Sequence, residues 1–409
     1  MAPSKRQQRL GTYIISSVAG ETVRAFIPPP LPPVPELQLK GLHQHLDRAN
    51  QELGRLNGMT RLLPDIRFLL YLYTRKEALV SSQIEGTQSS FADLLLFEND
   101  EVPHVAVEDV EEVSNYVAAM QHGLKRMAGG FPLSLRLIRE IHAILLRGGR
   151  GANKMPGEFR RTQNWIGASR PGNASFIPPP PERLTECLDS FERFLHDDKH
   201  RLPVLVEAGL VHVQFESIHP FLDGNGRLGR LLITLLLCAK GALTEPLLYP
   251  SLYLKSNRDQ YYDLLQRVRT QGAWEDWLAF FIEGVAVAAQ EAADTAERTL
   301  KLFAKDKDKI QRLGRAAPST LRLHQFMQAN PYVRIRTTAK ALQLTVPTVT
   351  SSLNHLMRLG IVKEVSGKHR HRLFAYSRYV NMVSEGTNPL STAWNNLIGQ
   401  STRRQTASS

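Results

Sequence analysis

Residues 216–238, ESIHPFLDGNGRLGRLLITLLLC, place a polar, glycine-containing loop directly before a run of leucines. Six of the eleven residues from 228 to 238 are leucine. A run of this length is too short to span a bilayer and instead predicts a buried helix. The loop then lies at the N-terminus of a core helix, where free N–H groups and the helix dipole attract anions. A phosphate site is therefore physically possible here.

The length and composition indicate an ordinary globular protein. At 409 residues the chain has room for two to three domains of roughly 150 residues each. Because no apolar run approaches about 18 residues, we expect a soluble protein without a membrane partner. The two cysteines, Cys187 and Cys238, lie in apolar, helix-like surroundings. We expect them to be reduced and structural, which favours a cytoplasmic location.

The positive charge is concentrated in the last quarter of the chain. Residues 301–409 contain 18 lysines and arginines against four acidic residues, whereas residues 1–300 contain 33 against 35. Such an asymmetry predicts nucleic acid or another polyanion as a partner of the C-terminal quarter. The nearly balanced charge of residues 1–300 predicts no such partner for the main body.

The periodicity of apolar residues predicts a mainly α fold. Residues 11–27 are an exception and indicate a short strand pair with a turn near Gly20. Residues 150–181 are rich in Gly, Pro and Asn and indicate a hairpin-like flap. The predicted division is an N-terminal segment 1–104, a core 105–300, a charged linker 301–316, a second domain 317–385 and a disordered tail 386–409.

The loop before the leucine run contains residue types that suit phosphate-transfer chemistry. His219 can take a proton from a hydroxyl group, and Asp223 can hold a divalent cation on phosphate oxygens. Arg227 and Arg230 share one helix face and can neutralise phosphate charge. A tight turn in which successive N–H groups point at one anion is expected at Gly224, Asn225 and Gly226.

The stretch HPFLDGNGRLGR, residues 219–230, resembles the signature of the Fic family, H-x-F-x-[DE]-G-N-G-R-x-x-R, with every fixed position filled. The helices and the flap of residues 105–295 are also similar to those of family members. This resemblance implies a small helical catalytic core with a β-hairpin flap. It also implies transfer of AMP from ATP, with Mg²⁺, to a Tyr, Thr or Ser hydroxyl of a target protein or of the enzyme itself. Family members often form dimers, which makes a homodimer possible.

The resemblance implies a role for each residue of this loop. His219 would be the base that accepts the hydroxyl proton, and Asp223 would be the metal ligand that holds Mg²⁺ against the α- and β-phosphates. Arg227 would bind phosphate and Arg230 would anchor the γ-phosphate. Since the kinase-like branch of the family has Lys at position 226, Gly226 favours AMP transfer. The turn that binds phosphate through its amides would comprise Gly224, Asn225 and Gly226.

Two further regions resemble nucleotide-binding parts of the family. The stretch TQNWIGASR resembles the first arm of the flap, which implies that Ile166 and Gly167 lie near ATP or the target. The stretch NRDQYYDLLQRVR resembles the segment that packs around adenine, which makes Tyr261 and Tyr262 candidates. Two aromatic residues on one helix are also common in a core. Some relatives have Asn where this chain has Arg269.

The stretch SSQIEG fits the inhibitory pattern of the family, [ST]-x-x-x-E-[GN], through Ser81, Glu85 and Gly86. If Glu85 pairs with Arg230, it occupies the charge intended for the γ-phosphate, and ATP binds unproductively or not at all. The alternative is an ordinary glutamate at the end of a helix.

Residues 318–377 resemble a winged helix-turn-helix domain. Helical patterns at 319–328, 336–344 and 347–360 precede two predicted strands around a basic turn. The second helix of the motif would face a DNA groove with Thr348, Thr350, Ser351 and Asn354, and the wing would meet phosphates with Lys368, Arg370 and Arg372. The alternative is a winged helix used for protein contact or dimerisation.

Two other functions fit the same residues. The chain would then be a DNA-binding transcriptional regulator whose Fic core only senses nucleotide, or a Fic transferase that uses another donor such as UTP. Labelling with ATP separates the first from an adenylyltransferase, and competition among nucleotides separates the second.

Overall fold

The computed structural model describes residues 4–62, 66–98, 105–149, 151–197, 202–367 and 371–389. Helices make up most of these residues and the strands are few and short. The prediction of a mainly α fold is confirmed.

The chain begins with a short helix and an antiparallel hairpin. Helix α1 spans Lys5–Gln8, and strands β1 (Thr12–Val18) and β2 (Glu21–Ile27) pair with Val18 opposite Glu21. Ala19 and Gly20 connect them with φ of 49° and 80°. Two successive positive φ angles are typical of a two-residue hairpin turn, and they agree with the predicted turn near Gly20.

Helices build the core around one central pair. That pair is α8 and α9, whose side chains are buried on nearly every side, as the leucine run predicts. The helices of this part are α2 His43–Leu62, α3 Arg67–Ile84, α4 Phe91–Phe97, α5 Val107–Ala128, α6 Leu135–Leu145, α7 Pro181–Leu195, α8 Val204–Ile218, α9 Asn225–Ala239, α10 Ser251–Ser256, α11 Arg258–Gln271 and α12 Trp274–Gln311.

Helix α12 is longer than the sequence suggested. It packs along α2 and continues through most of residues 301–316, which the charge pattern indicated as a linker. Residues 301–311 are therefore helical, and Asp306 is fully buried there, where it accepts hydrogen bonds from Lys309 (2.6 Å) and Tyr376 (2.8 Å). A helix in a charged segment is stable when its charges find such partners.

A smaller unit of helices and strands follows α12. Its three strands form an antiparallel sheet in the order β3-β5-β4. The three helices and the last two strands follow the order predicted for 318–377, whereas the first strand, between the first and second helices, was not predicted. Lys368 and Arg370 lie outside the described residues. Its elements are α13 Ala317–Ala329, β3 Tyr332–Arg334, α14 Ile335–Leu342, α15 Val346–Arg358, β4 Lys363–Glu364, β5 Leu373–Ala375 and α16 Ser377–Val383.

The chain beyond α16 returns to the core. Residues 386–389 belong to the predicted disordered tail, yet Thr387 is only 3% exposed and its carbonyl accepts a hydrogen bond from Gln83 of α3 (2.9 Å). Residues 390–409 lie outside the described part. None of the helices in the described part of the chain is long and apolar enough to cross a membrane.

Candidate active site at the start of helix α9

The loop 219–230, called the signature loop below, begins with a residue in an unusual conformation. His219 ends α8 with φ 49° and ψ 62°, in the left-handed region. For a residue with a side chain this conformation costs about 1–3 kcal/mol and persists only where the surroundings hold it. Two hydrogen bonds do so: its N–H donates to Phe215 (2.9 Å), and its carbonyl accepts from Arg160 Nε (2.9 Å).

The loop is closed by the side chain of Asn225. The amide oxygen accepts a hydrogen bond from the N–H of Phe221 (2.9 Å), and the amide nitrogen donates to the carbonyl of the same residue (2.8 Å). Gly224 turns the chain with φ 76°, and its N–H donates to Asp223 Oδ1 (2.6 Å). Sequence reasoning placed Asn225 in the phosphate-binding turn, and the structure adds that its side chain holds the turn closed.

A histidine outside the signature loop packs against it and holds it in place. The imidazole of His142, on α6, stacks on Phe221 with ring centroids 3.7 Å apart. Its Nδ1 accepts a hydrogen bond from the N–H of Gly157 (2.8 Å), so Nε2 carries the proton donated to the carbonyl of Asp223 (3.0 Å). Burial lowers the pKa of His142 to about 4, which keeps it neutral. Nothing in the sequence indicates this role, since a histidine on an apolar helix face resembles any core residue.

Arg230 is paired with Glu85 from the end of α3. Arg230 is 1% exposed, and its Nη2 lies 2.7 Å from Glu85 Oε1. The same guanidinium donates to the hydroxyl and to the carbonyl of Ser81, each at 2.9 Å. Burial opposes ionisation of Glu85, but the charge and hydrogen bond of Arg230 outweigh it and lower the pKa of Glu85. The carboxylate is therefore charged at neutral pH.

Glu85 also covers the turn at the start of α9. A Cβ atom placed on Gly226 would lie 2.3 Å from Glu85 Oε1 and 3.0 Å from Arg230 Nη1. Only glycine allows the carboxylate to approach the backbone so closely at this position. An anionic oxygen thus rests where free N–H groups of the helix and an arginine converge.

The second arginine of the loop is tied to neighbouring acids. Arg227 is 3% exposed, and its guanidinium lies 3.1 Å from Glu112 of α5 and 3.5 Å from Asp223 Oδ1. Asp223 is partly exposed, and the hydrogen bonds it receives from the described residues fall on Oδ1. Its other oxygen, Oδ2, is the one that can hold a cation.

A third arginine, Arg269 of α11, lies at the end of α8. It donates to the carbonyl of Glu216 (3.1 Å) and to the hydroxyl of Ser217 (3.2 Å), and its guanidinium lies 3.8 Å from the centre of the Phe176 ring. Burial lowers the pKa of Arg269 to about 10, so it keeps its charge. Burial likewise raises the pKa of Glu216 to about 7.

His219 is neutral in this environment. Burial and the positive charges of Arg160 and Arg269 lower its pKa to about 3, although Glu85 acts in the opposite direction. A neutral imidazole can accept a proton, which is the first requirement for a general base.

The flap beside His219 is a loop closed by a single bridge. The N–H of Ile166 donates to the carbonyl of Phe176, and the N–H of Ser175 donates to the carbonyl of Ile166, each at 2.9 Å. Gly167 is exposed with φ 85°. The predicted hairpin is shorter than expected because a short 3₁₀ turn at Pro171–Asn173 interrupts the second arm. The place of Ile166 and Gly167 beside ATP or target stays a prediction.

The two tyrosines proposed for adenine have different surroundings. Tyr261 is 1% exposed, and its hydroxyl lies 2.9 Å from Nε2 of the buried His212. Nδ1 of His212 lies 3.0 Å from the carbonyl of Gly229, so this pair supports α9 from inside the core. Tyr262 is 40% exposed, with Arg258 above its ring. Only Tyr262 presents a ring face to a ligand from outside.

Two family models match the chain. Residues 43–125, which contain Glu85, match the N-terminal model of the Fic/DOC family, and residues 132–237, which contain the signature loop, match the Fic/DOC family model. Together they contain both partners of the Glu85–Arg230 pair.

Curated relatives carry the same name. The protein adenylyltransferase Fic of Drosophila grimshawi is 30% identical over 199 residues, which are 48% of this chain and 36% of the relative. That of Culex quinquefasciatus is 35% identical over 173 residues, which are 42% of this chain and 29% of the relative. The match spans about a third of the length of each of these relatives.

The fold is also found in a solved structure. The crystal structure of a Fic family protein from Desulfovibrio desulfuricans G20 superposes with a TM-score of 0.56 at 19% identity, covering 83% of this chain and 97% of that one. Residues 43–125 and 132–237 are thus a Fic/DOC N-terminal domain and a Fic domain, and the fold agrees with that of a Fic family structure.

Proposed function

We propose that this chain is a protein adenylyltransferase, which transfers AMP from ATP to a Tyr, Thr or Ser hydroxyl of a protein, itself included. The single observation that carries the proposal is the convergence of His219, Asp223, Arg230 and the turn 224–226 on the start of one buried helix. The name shared by the curated relatives supports the same activity.

The proposed reaction is an in-line displacement at the α-phosphorus. The hydroxyl oxygen of the target forms a bond to this phosphorus as the bond to the pyrophosphate oxygen breaks. The hydroxyl proton moves to neutral His219, and pyrophosphate leaves with the electron pair of the broken bond. Amides at the helix start and the guanidinium groups stabilise the charge on the phosphate oxygens.

Asp223 is the residue that would hold Mg²⁺. The described residues contain no group of three His, Cys, Asp or Glu side chains that could bind a metal by themselves. One accessible carboxylate oxygen is still enough, because Mg²⁺ at nucleotide sites is held by one or two carboxylates together with phosphates and water. Bound there, the ion would neutralise charge on the α- and β-phosphates.

We further propose that Glu85 inhibits the enzyme. Its carboxylate holds Arg230 and lies against Gly226, so it competes with the γ-phosphate for the same guanidinium. A nucleotide that binds beside it cannot place its triphosphate along the turn. The chain would therefore be nearly inactive until Glu85 moves.

Labelled nucleotide tests the proposal directly. The chain with Glu85 replaced is incubated with ATP labelled at the α-phosphate and with Mg²⁺, and mass spectrometry detects an added AMP on the chain itself. Labelling supports an adenylyltransferase, and binding without labelling supports a nucleotide sensor. Stronger labelling from UTP or another nucleotide identifies a different donor.

We also infer that the unit from α13 to α16 binds DNA as a winged helix. On α15, Ser351 is exposed and Thr348, Thr350 and Asn354 are partly exposed, so polar side chains are available to base edges. Arg372, next to the turn between β4 and β5, is also partly exposed. The charge of the C-terminal quarter favours a polyanion over a protein partner.

The affinity of the full chain for duplex DNA should fall linearly with salt on logarithmic axes, because each phosphate contact releases counterions. The change Arg372→Ala removes one phosphate contact and should therefore reduce the magnitude of this slope by about 1. Fluorescence anisotropy measures both. Arg183→Ala, which changes an exposed arginine of α7, is the matched control and should leave the slope unaltered. Absence of salt-dependent binding would favour a protein partner for this unit.

A further inference from the structure

Arg160 is a buried cation held entirely by main-chain carbonyls among the described residues. It is 3% exposed, and its guanidinium donates to the carbonyls of His219 (2.9 Å), Ile218 (3.3 Å) and Pro179 (2.5 Å). Its own N–H donates to the carbonyl of Pro220 (2.9 Å). Three of these four bonds reach the main chain at or next to His219.

The end of α8 explains why a cation lies there. The last carbonyls of a helix have no partner within it, and the helix dipole places partial negative charge at the same end. The guanidinium of Arg160 interacts with this partial negative charge of the carbonyls and not with a carboxylate. It remains ionised, since burial lowers its pKa only to about 10. It also reaches the flap, because its Nη1 donates to the carbonyl of Thr162 (3.3 Å).

We propose that Arg160 is a positioning residue for the transfer reaction. By fixing the main chain of His219 in its left-handed conformation, it aims the imidazole at the incoming hydroxyl group. By bonding Thr162 and Pro179 it also fixes the flap relative to that imidazole. This inference rests on the proposed function, because it concerns the base of that reaction.

Substitution separates positioning from simple folding. In the active Glu85→Gly background, Arg160→Met should lower kcat about 10- to 100-fold with little change in the KM for ATP, since small displacements of a reacting group cost this much. Arg160→Lys keeps a charge and should recover part of the loss. Arg161→Met, at the exposed neighbouring position, is the matched control and should keep full activity.

The titration of His219 gives a readout that does not depend on AMP transfer. The charges that act on it are those of Arg160, Arg269 and Glu85, and it also has a hydrogen bond with the backbone of Glu216. Since Arg160 helps to lower the pKa of His219, Arg160→Met should move the titration, followed by NMR, to higher pH. Arg160→Lys should move it less. A variant with unaltered kcat and unaltered titration overturns the proposal, whereas a shifted titration without transfer in any variant would contradict only the proposed function.

A second inference concerns the segment 384–388 after α16, called the C-terminal latch below. It lies on the last turn of α3, next to the residue that blocks the site. Gln83 is 1% exposed, donates to the carbonyl of Thr387 (2.9 Å) and accepts from Lys255 Nζ (2.7 Å). Lys255 also donates to the carbonyl of Asn388. Gln83 precedes Glu85 by two residues, so the same helical turn carries both contacts.

The latch is also attached to α12 and packs against α10. Glu385 accepts two hydrogen bonds from Arg298 of α12, at 2.8 and 2.7 Å. Gly386 follows with φ 79°, and a Cβ atom placed on it would lie 3.2 Å from Leu252. The close packing and the ion pair hold the segment against the helix that ends in Glu85.

We propose that the C-terminal latch keeps α3 in its inhibitory position and that its release raises AMP transfer. Helix α3 cannot shift unless Gln83 leaves its partners, and a buried amide without partners is costly. The described contacts thus couple the state of the C-terminal unit to Glu85. This inference rests on the proposed inhibitory role of Glu85.

Charge reversal in the full chain tests the latch. Arg298→Glu and Glu385→Arg should each raise the rate of AMP transfer about threefold or more, and the double variant should return it to the wild-type rate. Lys301→Glu is the control on the same helix, since the ammonium of Lys301 pairs with Glu297 and not with the latch. Lys255→Met provides a second route to release and should act in the same direction. Single variants at the wild-type rate, with an active Glu85→Gly chain, overturn the latch; an inactive Glu85→Gly chain contradicts the proposed function instead.

Discussion

Replacing Glu85 by glycine is expected to raise the rate of AMP transfer at least about tenfold. The carboxylate holds Arg230 at 2.7 Å and covers the backbone of Gly226, so its removal frees both the guanidinium and the helix start for a triphosphate. Each 1.4 kcal/mol by which Glu85 competes with the γ-phosphate costs a factor of about ten in productive binding. The rate of label incorporation from ATP in wild type and variant measures the effect.

Two further variants sharpen this test. Glu85→Gln keeps most of the side-chain volume but removes the charge, and it should give an intermediate rate. Glu186→Gly, in the exposed part of α7, controls for the cost of glycine in a helix and should leave the rate unaltered. Equal rates in wild type and Glu85→Gly would show that Glu85 is an ordinary helix-terminal residue.

Thermal unfolding gives an independent measure of the same competition. Without Glu85, Arg230 is a buried charge whose remaining hydrogen bonds within the described part of the chain go to Ser81, so the variant should have a lower Tm than wild type. ATP with Mg²⁺ should then raise the Tm of the variant more than that of wild type, because it binds the vacated charge.

The sequence predicted which residues lie close together where its signal was local. The residues from His219 to Arg230 lie within twelve positions, so their spacing alone brings them together at the start of α9. The pairing of Glu85 with Arg230 joins residues far apart in sequence, and the family resemblance predicted it. The positions of α8, α9 and the strand pair followed from apolar periodicity and turn residues.

The sequence did not predict the groups that act through main-chain carbonyls. Arg160 and His142 donate hydrogen bonds to the main-chain carbonyls of His219 and Asp223. Because every residue type has such a carbonyl, the sequence does not show which ones are bound. The length of α12 was missed for a related reason. In the sequence its charged segment resembles a linker, because the hydrogen bond between Asp306 and Tyr376 forms only in the folded chain. Tertiary partners decide these features, and composition does not record them.

Replacing His219 by alanine in the Glu85→Gly background should lower AMP transfer by a factor of about 10² to 10⁴, to the background of the assay. The imidazole is the proposed acceptor of the hydroxyl proton, and no other side chain of the signature loop offers a neutral base. ATP binding, measured by equilibrium titration, should change little because Arg230 and the turn at the start of α9 remain. Single-turnover label transfer measures the loss in the chemical step.

The pH dependence distinguishes a base from a residue that only shapes the loop. The folded-state pKa of His219 is lowered to about 3, so the imidazole is already neutral and the rate of the Glu85→Gly chain should be flat between about pH 6 and 8. Without the imidazole, the residual rate should rise with pH as the target hydroxyl loses its proton to solvent. His196→Ala, at an exposed histidine of similar size, should follow the parent profile. If His219→Ala kept both the rate and the flat profile, proton transfer to this imidazole would be excluded.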